Sequence, residues 1–392
     1  MTNFEVDVAP DVLLWARKSI GLTPDEAARK IGIDALTLRY WEEGAENPTI
    51  GKLRKMAEVY KRPLAVLLLP EPPRSFDALK DFRLLQRNQG KPYSPALHLA
   101  FRRVQMQREV AEELAELEGA VPPPIDLPIS PGDDPEASGD TIRAWLGTSV
   151  RDAGQGSRGD DLSRWIDLVE DKSILVAQVG GIAIEEMRGC SISDQPFPAI
   201  VINGKDAPRG KLFTLLHELV HVLLHAGGVC DLEDRRRHVN TPTERIERYC
   251  NQVAAAILMP RELVLRDPAV EKASEATRWS QQELRRVADL HGVSTEAMLL
   301  RLVTLNKASW DFYINRRPHF LQAYEEARRA QGERGGGPSF YRMKLRDFGR
   351  RYTSAVVDAY HRRDINSAEL ADYLEIKVNQ LQRLEEELGA RR

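Results

Sequence analysis

Apolar residues recur at spacings near three and four over most of this chain, the spacing of an amphipathic helix. Leu97, Phe101, Val104, Val110, Leu114 and Leu117 form one such stripe and predict a single long helix. Residues 11–69 break into short apolar groups separated by turn signals, which predicts several short helices. Two stretches depart from this pattern. SILVAQVGGIAIEEM and PAIVIN, at 173–187 and 198–203, are β-branched runs bounded by Gly, Pro and Asn, as strands are. Two more helices follow, KLFTLLHELVHVLLH and ERIERYCNQVAAAILMP, the second ended by Pro260. The remainder is helical and rich in arginine.

Proline and glycine punctuate these segments. They suggest a helical block over 1–70, a helical connector over 76–118, a proline-rich linker over 119–139, a mixed core over 140–305 and a helical C-terminal domain over 306–392. The predicted class is α+β, mostly helical, with a small β-sheet in the core. Lys+Arg 56 against Asp+Glu 59 leaves a net charge of -3, which argues against a chain built mainly to coat nucleic acid or an anionic membrane. The three cysteines, Cys190, Cys230 and Cys250, are too scattered for a disulfide scaffold, so a reducing compartment is expected. No apolar run approaches the roughly 18–20 residues needed to span a bilayer. The N-terminal segment has no basic stretch followed by an apolar one, and a cytoplasmic location is expected.

The strongest chemical signal is His217-Glu218-Leu219-Val220-His221. Residues four apart share a helix face, so both imidazoles can reach one ion. Glu218 lies one step from His217. It does not face the ion in the same way and can serve as general base on the water the metal activates. Zinc suits two imidazoles, with manganese as an alternative. Leu215, Leu216, Leu219 and Val220 make the helix a buried one, where unpartnered imidazoles would be costly. A catalytic zinc needs a third protein ligand, and the next helix offers Glu244 and Glu247. Glu247 is the better candidate, because it shares a face with Asn251 and the apolar residues beyond. Glu244 reads as a solvated carboxylate at a helix start. His225 continues the 217, 221 series, and a packing or ligand-supporting role is expected for it.

The segment RGKLFTLLHELVHVLLH followed by ERYCNQVAAAILMP resembles the ImmA/IrrE family of metallopeptidases over about residues 140–266. The resemblance rests on the Phe213-Thr214 lead-in, the HExxH helix and the Glu-x-x-x-Asn helix closing in Leu-Met-Pro. It implies a zincin-like core, zinc ligands His217, His221 and Glu247, and Glu218 as the base. Cys250 and Val253 stand where members of the family often show Ala and Phe, both changes of a buried kind. In zinc peptidases of this sort the strand before the metal helix is an edge that pairs with extended substrate. That role would fall to Ile200, Val201, Ile202 and Asn203, with an interior strand as the alternative. Tyr249 and His238 are candidate oxyanion donors, each equally readable as structural.

Residues 11–69 resemble an XRE-type helix-turn-helix domain, with Thr23 and Glu26 as a capping box, a turn at Gly32 and a recognition helix over about 34–43. Thr37, Arg39 and Tyr40 are its candidate DNA contacts. Acidic and basic residues balance over 1–70, the helix ends in Glu42-Glu43, and Pro24 replaces a frequent contact residue. Phosphate contacts usually dominate affinity, so such a domain binds DNA weakly unless dimerised. It serves alternatively as a protein-docking module. In the C-terminal block, Arg346, Arg350, Arg351, Arg362 and Arg363 form a basic face best read as solvated, and Trp310, Phe312 and Tyr313 are read as core anchors.

Together these readings describe a zinc-dependent regulatory endopeptidase. Its expected substrate is a protein, a neighbouring helix-turn-helix repressor or a toxin-system component. The rival is a DNA-binding regulator or antitoxin-like partner whose peptidase core only docks. Its Glu218 would then be dispensable, yet it is present.

Overall fold

The computed structural model describes residues 4–73, 93–149, 161–225, 228–230, 241–333 and 339–389, with the backbone alone at 161, 228–230 and 327–333. The chain divides into two compact units, Met1–Gln105 and Met106–Arg392.

The first unit contains four short helices, α1 (Pro10–Lys18), α2 (Pro24–Ile31), α3 (Ala35–Glu43) and α4 (Ile50–Tyr60). Each boundary has a local cause. Thr23 accepts from the Glu26 amide while Glu26 reaches back to Thr23, so the predicted capping box starts α2. Asp34 caps α3 and Thr49 caps α4. Gly32 ends α2 at φ 77°, a left-handed position that costs glycine nothing. The core of this unit is built on Leu13, Leu38, Trp41, Leu53, Met56 and Tyr60.

Helix α5 (Pro95–Glu118) is the predicted stripe, and Leu97, Phe101, Val104, Val110 and Leu114 are buried. Leu117 is the exception and stands exposed.

In the second unit come α6 (Pro135–Leu146), α7 (Asp161–Glu170), β1 (Leu175–Val179), β2 (Gly189–Ile192), β3 (Ala199–Asn203), α8 (Pro208–Leu223), β4 (Gly228–Cys230) and α9 (Pro242–Leu258). The strands form one sheet in the order β1-β3-β2-β4, with β1 and β3 parallel and the other pairs antiparallel. Residues of β1, β2 and β3 are buried throughout, which fits their mainly apolar sequences, interrupted by Gln178, Ser191 and Asn203. Helix α8 lies against β2, β3, α7 and α9, and α9 also lies against α6.

Three expectations change here. The proline-rich stretch 119–139 is not a free linker. Ile125, Leu127 and Ile129 pack on the core, and Asp134 caps α6 within it. Ser138 and Gly139 of α6 are buried against α9, where Gly139 comes so close that a Cβ would lie 3.0 Å from that of Ala256. The block 306–392 is not separate either. Tyr313 and Phe320, on a helix over Trp310–Glu333, belong to the same core cluster as the metal helix. Trp310 at that helix's start is 48% exposed, so Tyr313 and in part Phe312 do the anchoring.

Four of the five arginines of the C-terminal basic face have partners within the chain, mostly at solvent-accessible positions, and Arg363 is exposed. Arg346 pairs with Asp347, Arg351 with Asp171, and Arg362 with both Asp364 and Glu118. Arg350 donates to the Leu388 carbonyl. Glu170, at the end of α7, accepts from the Arg351 amide at the start of the helix Arg350–Arg362. Burial pushes its carboxyl up to about 8, because that one bond and the nearby arginines offset only part of the lost hydration.

Candidate metal centre

Helix α8 opens with Pro208 at its first turn and is buried continuously from Thr214 to Leu223. The apolar side chains there are Leu or Val, and Thr214, His217, Glu218 and His221 are the buried polar ones. His217 and His221 lie one turn apart on the face toward α9, with Nε2 atoms 3.1 Å apart and rings tilted by 62°. The Phe213 ring, one turn earlier, stacks beside His217 with centroids 6.5 Å apart.

Helix α9 supplies the third group. Thr241 and Glu244 form a reciprocal capping box at its start, so Glu244 is the helix-start carboxylate anticipated above. One turn further, Glu247 Oε2 lies 3.4 Å from His217 Nε2 and Glu247 Oε1 lies 3.5 Å from His221 Nε2. Among the described residues, His217, His221 and Glu247 are the group whose potential ligand atoms all fall within 4.8 Å of one another.

The arrangement passes a geometric test for an ion. Ligands that bond a tetrahedral zinc at about 2.0–2.1 Å must lie about 3.3–3.4 Å apart. The observed separations fall close to that value: the two Nε2 atoms are 3.1 Å apart, one Glu247 oxygen lies 3.4 Å from His217 and the other 3.5 Å from His221. The electrostatics agree. Burial alone would raise the Glu247 carboxyl, but hydrogen bonding and charge from the two imidazoles hold it well below the usual carboxylate range. Burial lowers His217 toward its neutral, ligating form, against the opposing pull of Glu247. Asn251, one turn beyond Glu247, also acts on His217. Its Oδ1 and the outer ring nitrogen of His217, Nδ1, are buried without a hydrogen-bond partner of ordinary geometry among the described residues. Cys250, fully buried, sits against His221, and burial pushes its thiol up.

Glu218 is 1% exposed and points toward the sheet, where its Oε2 accepts the Ser191 hydroxyl at 2.9 Å. The sequence reading missed strand β2 and with it Ser191. A serine two residues after a glycine, within an otherwise apolar GCSI run, was the available signal.

Several candidates lie elsewhere. Strand β3 is not an edge. It pairs with β1 on one side and β2 on the other, so its backbone groups are already bonded. Ile200, Val201 and Ile202 are fully buried. Asn203 donates to the Ile182 and Met187 carbonyls and thereby holds a loop. Among the described residues the edges are β1 and β4. His225 stands exposed beyond the end of α8 at φ 51°, so it neither ligates nor packs. The Tyr249 hydroxyl bonds Ser138 at 2.7 Å inside the core, a structural role. His238 lies outside the described residues. In the first unit, the Thr37 hydroxyl donates to its own helix cap, Asp34, at 2.7 Å, while Arg39 and Tyr40 are exposed. Glu42 is not a free surface charge, because Arg17 Nε and Nη2 bond its two oxygens at 2.7 and 2.8 Å.

Two histidines and a glutamate converge from neighbouring helices into a group that could hold a metal ion, with a second glutamate between the histidines in sequence. Comparison with protein families agrees. Residues 182–303 match the IrrE N-terminal-like domain of the peptidase M78 family, and residues 13–67 match the helix-turn-helix family. The chain thus joins an IrrE-like peptidase domain to an N-terminal helix-turn-helix, as its resemblance to ImmA/IrrE proteins implied. The matched segment begins later than the resemblance suggested and runs further. It takes in β2 and β3 and extends to a helix over Thr295–Thr304. A comparison with curated proteins found no match. Among the described residues no helix is long and apolar enough to cross a membrane.

Proposed function

We propose that this chain is a zinc-dependent regulatory endopeptidase acting on a protein, a helix-turn-helix repressor. The observation that carries the reading is the triangle of His217, His221 and Glu247 with Glu218 buried beside it. These three residues would hold the ion. When bound, zinc supplies a Lewis acid for the scissile carbonyl and lowers the pKa of water toward neutrality. The protein's own part falls to Glu218. Its carboxylate takes the proton of the attacking water and returns it to the departing amine, a role that requires a carboxylate held within hydrogen-bond reach of that water. The burial of α8 excludes bulk water and keeps that carboxylate in one place.

The choice of a repressor as substrate rests on the resemblance to ImmA/IrrE proteins and on the helix-turn-helix carried by the same chain. In this reading the N-terminal unit brings the peptidase to its target, through protein contact or DNA.

Wild type and Glu218→Gln, both loaded with zinc, should be incubated with purified repressors encoded beside the gene, and the products read by mass spectrometry. Wild type is expected to give a discrete cut, and the Gln variant to lose it by at least about 10²-fold. Equal cutting by both removes Glu218 from the mechanism. No cutting by wild type of any such repressor, or of any protein in a lysate, leaves the docking or antitoxin-like reading.

A further inference from the structure

We propose that strand β2 positions the general base, with Ser191 orienting the Glu218 carboxylate and Gly189 leaving the space it occupies. The proposal rests on the peptidase reading above. It concerns a residue that the HExxH motif does not contain.

Gly189 and Ser191 are two apart on one strand and so share a face. That face meets α8. The Ser191 side chain is 1% exposed, and its hydroxyl donates to Glu218 Oε2 at 2.9 Å. At Gly189 a Cβ would lie 3.0 Å from Glu218 Oε1, 3.2 Å from Glu218 Cγ and 2.3 Å from Thr214 Cγ2. Real Cβ atoms essentially never come as close as 2.3 Å and rarely as close as 3.0–3.2 Å, so glycine is the residue that lets Thr214 and the Glu218 side chain pack against the strand. Both oxygens are therefore shaped from the same side, Oε2 by a donor and Oε1 by the lack of a side chain.

The carboxylate needs such a guide. The last torsion of a glutamate is broad and has no sharp rotamer wells. A base that must meet a proton within hydrogen-bond reach gains from having that torsion fixed. A neutral hydroxyl fixes the plane without pairing off the charge, as an arginine would. The platform itself is rigid, because β2 is paired on both sides. Ser191 lies opposite Ile200 of β3 and Gly228 of β4. Ser191 is thus a positioning residue that acts on the reaction through Glu218.

A purely structural role would also satisfy a buried hydroxyl, so the test must separate the two. Full-length wild type, Ser191→Ala and Ser191→Thr are loaded with zinc. Each is compared by metal content, by the crystallographic position of the Glu218 carboxylate, and by kcat and KM on a neighbouring repressor. All three are expected to hold metal equally. Ser191→Ala is expected to lose roughly 10- to 100-fold in kcat with KM unchanged, the size expected for one hydrogen bond to a charged group. Its Glu218 carboxylate should rotate or spread over several orientations. Ser191→Thr keeps the hydroxyl and should recover most of the rate. The proposal is overturned if Ser191→Ala keeps the wild-type kcat, or if KM alone rises. If wild type cuts nothing, the peptidase reading fails and the carboxylate position decides. An unmoved carboxylate in Ser191→Ala then overturns the proposal, and a displaced one upholds only its structural half, that Ser191 orients Glu218.

Discussion

Helices α8 and α3 both carry residue types that suggest function, and the structure treats them differently. From Thr214 to Leu223 every position of α8 is buried, so a polar side chain there has few possible fates. His217 and His221 turn to the carboxylate facing them, Glu247, while Glu218 turns to Ser191. On α3 most polar positions border solvent, the Glu42 side chain being the buried exception, and ordinary structural uses claim them. Thr37 serves the helix cap and Glu42 answers Arg17. A motif on a buried helix is therefore strong evidence of chemistry. The same density of polar residues on an exposed helix says much less, because water removes the penalty that forces partners together.

That contrast can be broken most sharply at the histidines. His217→Ala combined with His221→Ala should reduce bound metal from one ion per chain to background, measured by elemental analysis after dialysis. Stoichiometric metal in the double variant would mean that burial had misled.

The next effect is differential. Glu247→Ala should weaken zinc binding at least ~10-fold, whereas Glu244→Ala should leave it intact and cost about 1 kcal/mol through the lost cap. Competition with a chelator measures the first quantity and thermal unfolding the second. Metal release by Glu244→Ala would reverse the assignment.

Much of this was legible in the sequence. HExxH at helical spacing is a local pattern, and so are the capping boxes at Thr23 and Thr241, since each needs only a few residues in a row. The third candidate ligand was readable because Glu247 shares a helix face with Asn251. What escaped depends on long-range pairing. That β3 is interior is fixed by β1 and β2 on its flanks, neither of which is encoded in PAIVIN. Ser191 and Glu218 are 27 residues apart, and their meeting depends on how β2 lies against α8. The supposed linker looked free because prolines hide a periodic pattern, yet Ile125, Leu127 and Ile129 still find the core.

Glu170 sharpens the comparison within the second unit. It is a buried carboxylate like Glu247 but lacks two imidazoles, and its value is raised where that of Glu247 is lowered. The folded value, about 8, lies above the ordinary 4.5. Its protonated form therefore contributes stability fully below about pH 4.5, and that contribution is lost as the pH rises through about 8. The expected loss is up to roughly 1.4 kcal/mol per pH unit across that window. Denaturant unfolding at pH 5 and pH 8 should show this fall in wild type and a smaller one in Glu170→Gln. Parallel behaviour of the two proteins would contradict it.

A smaller effect is expected in the first unit. Arg17→Met leaves Glu42 buried without its cation and should destabilise that unit by about 3 kcal/mol. Amide exchange in α1–α3 would report it. Unchanged protection would return Glu42 to the status of a surface charge.

The account depends most on an ion held by two imidazoles and a carboxylate, and X-ray absorption at the zinc edge of the loaded, full-length protein tests that directly. The expected spectrum has two imidazole nitrogens and oxygen neighbours at about 2.0–2.1 Å, with no sulfur. A sulfur shell at about 2.3 Å would place Cys250 or another cysteine on the metal. That result, or a spectrum with no imidazole scattering, would contradict the assignment.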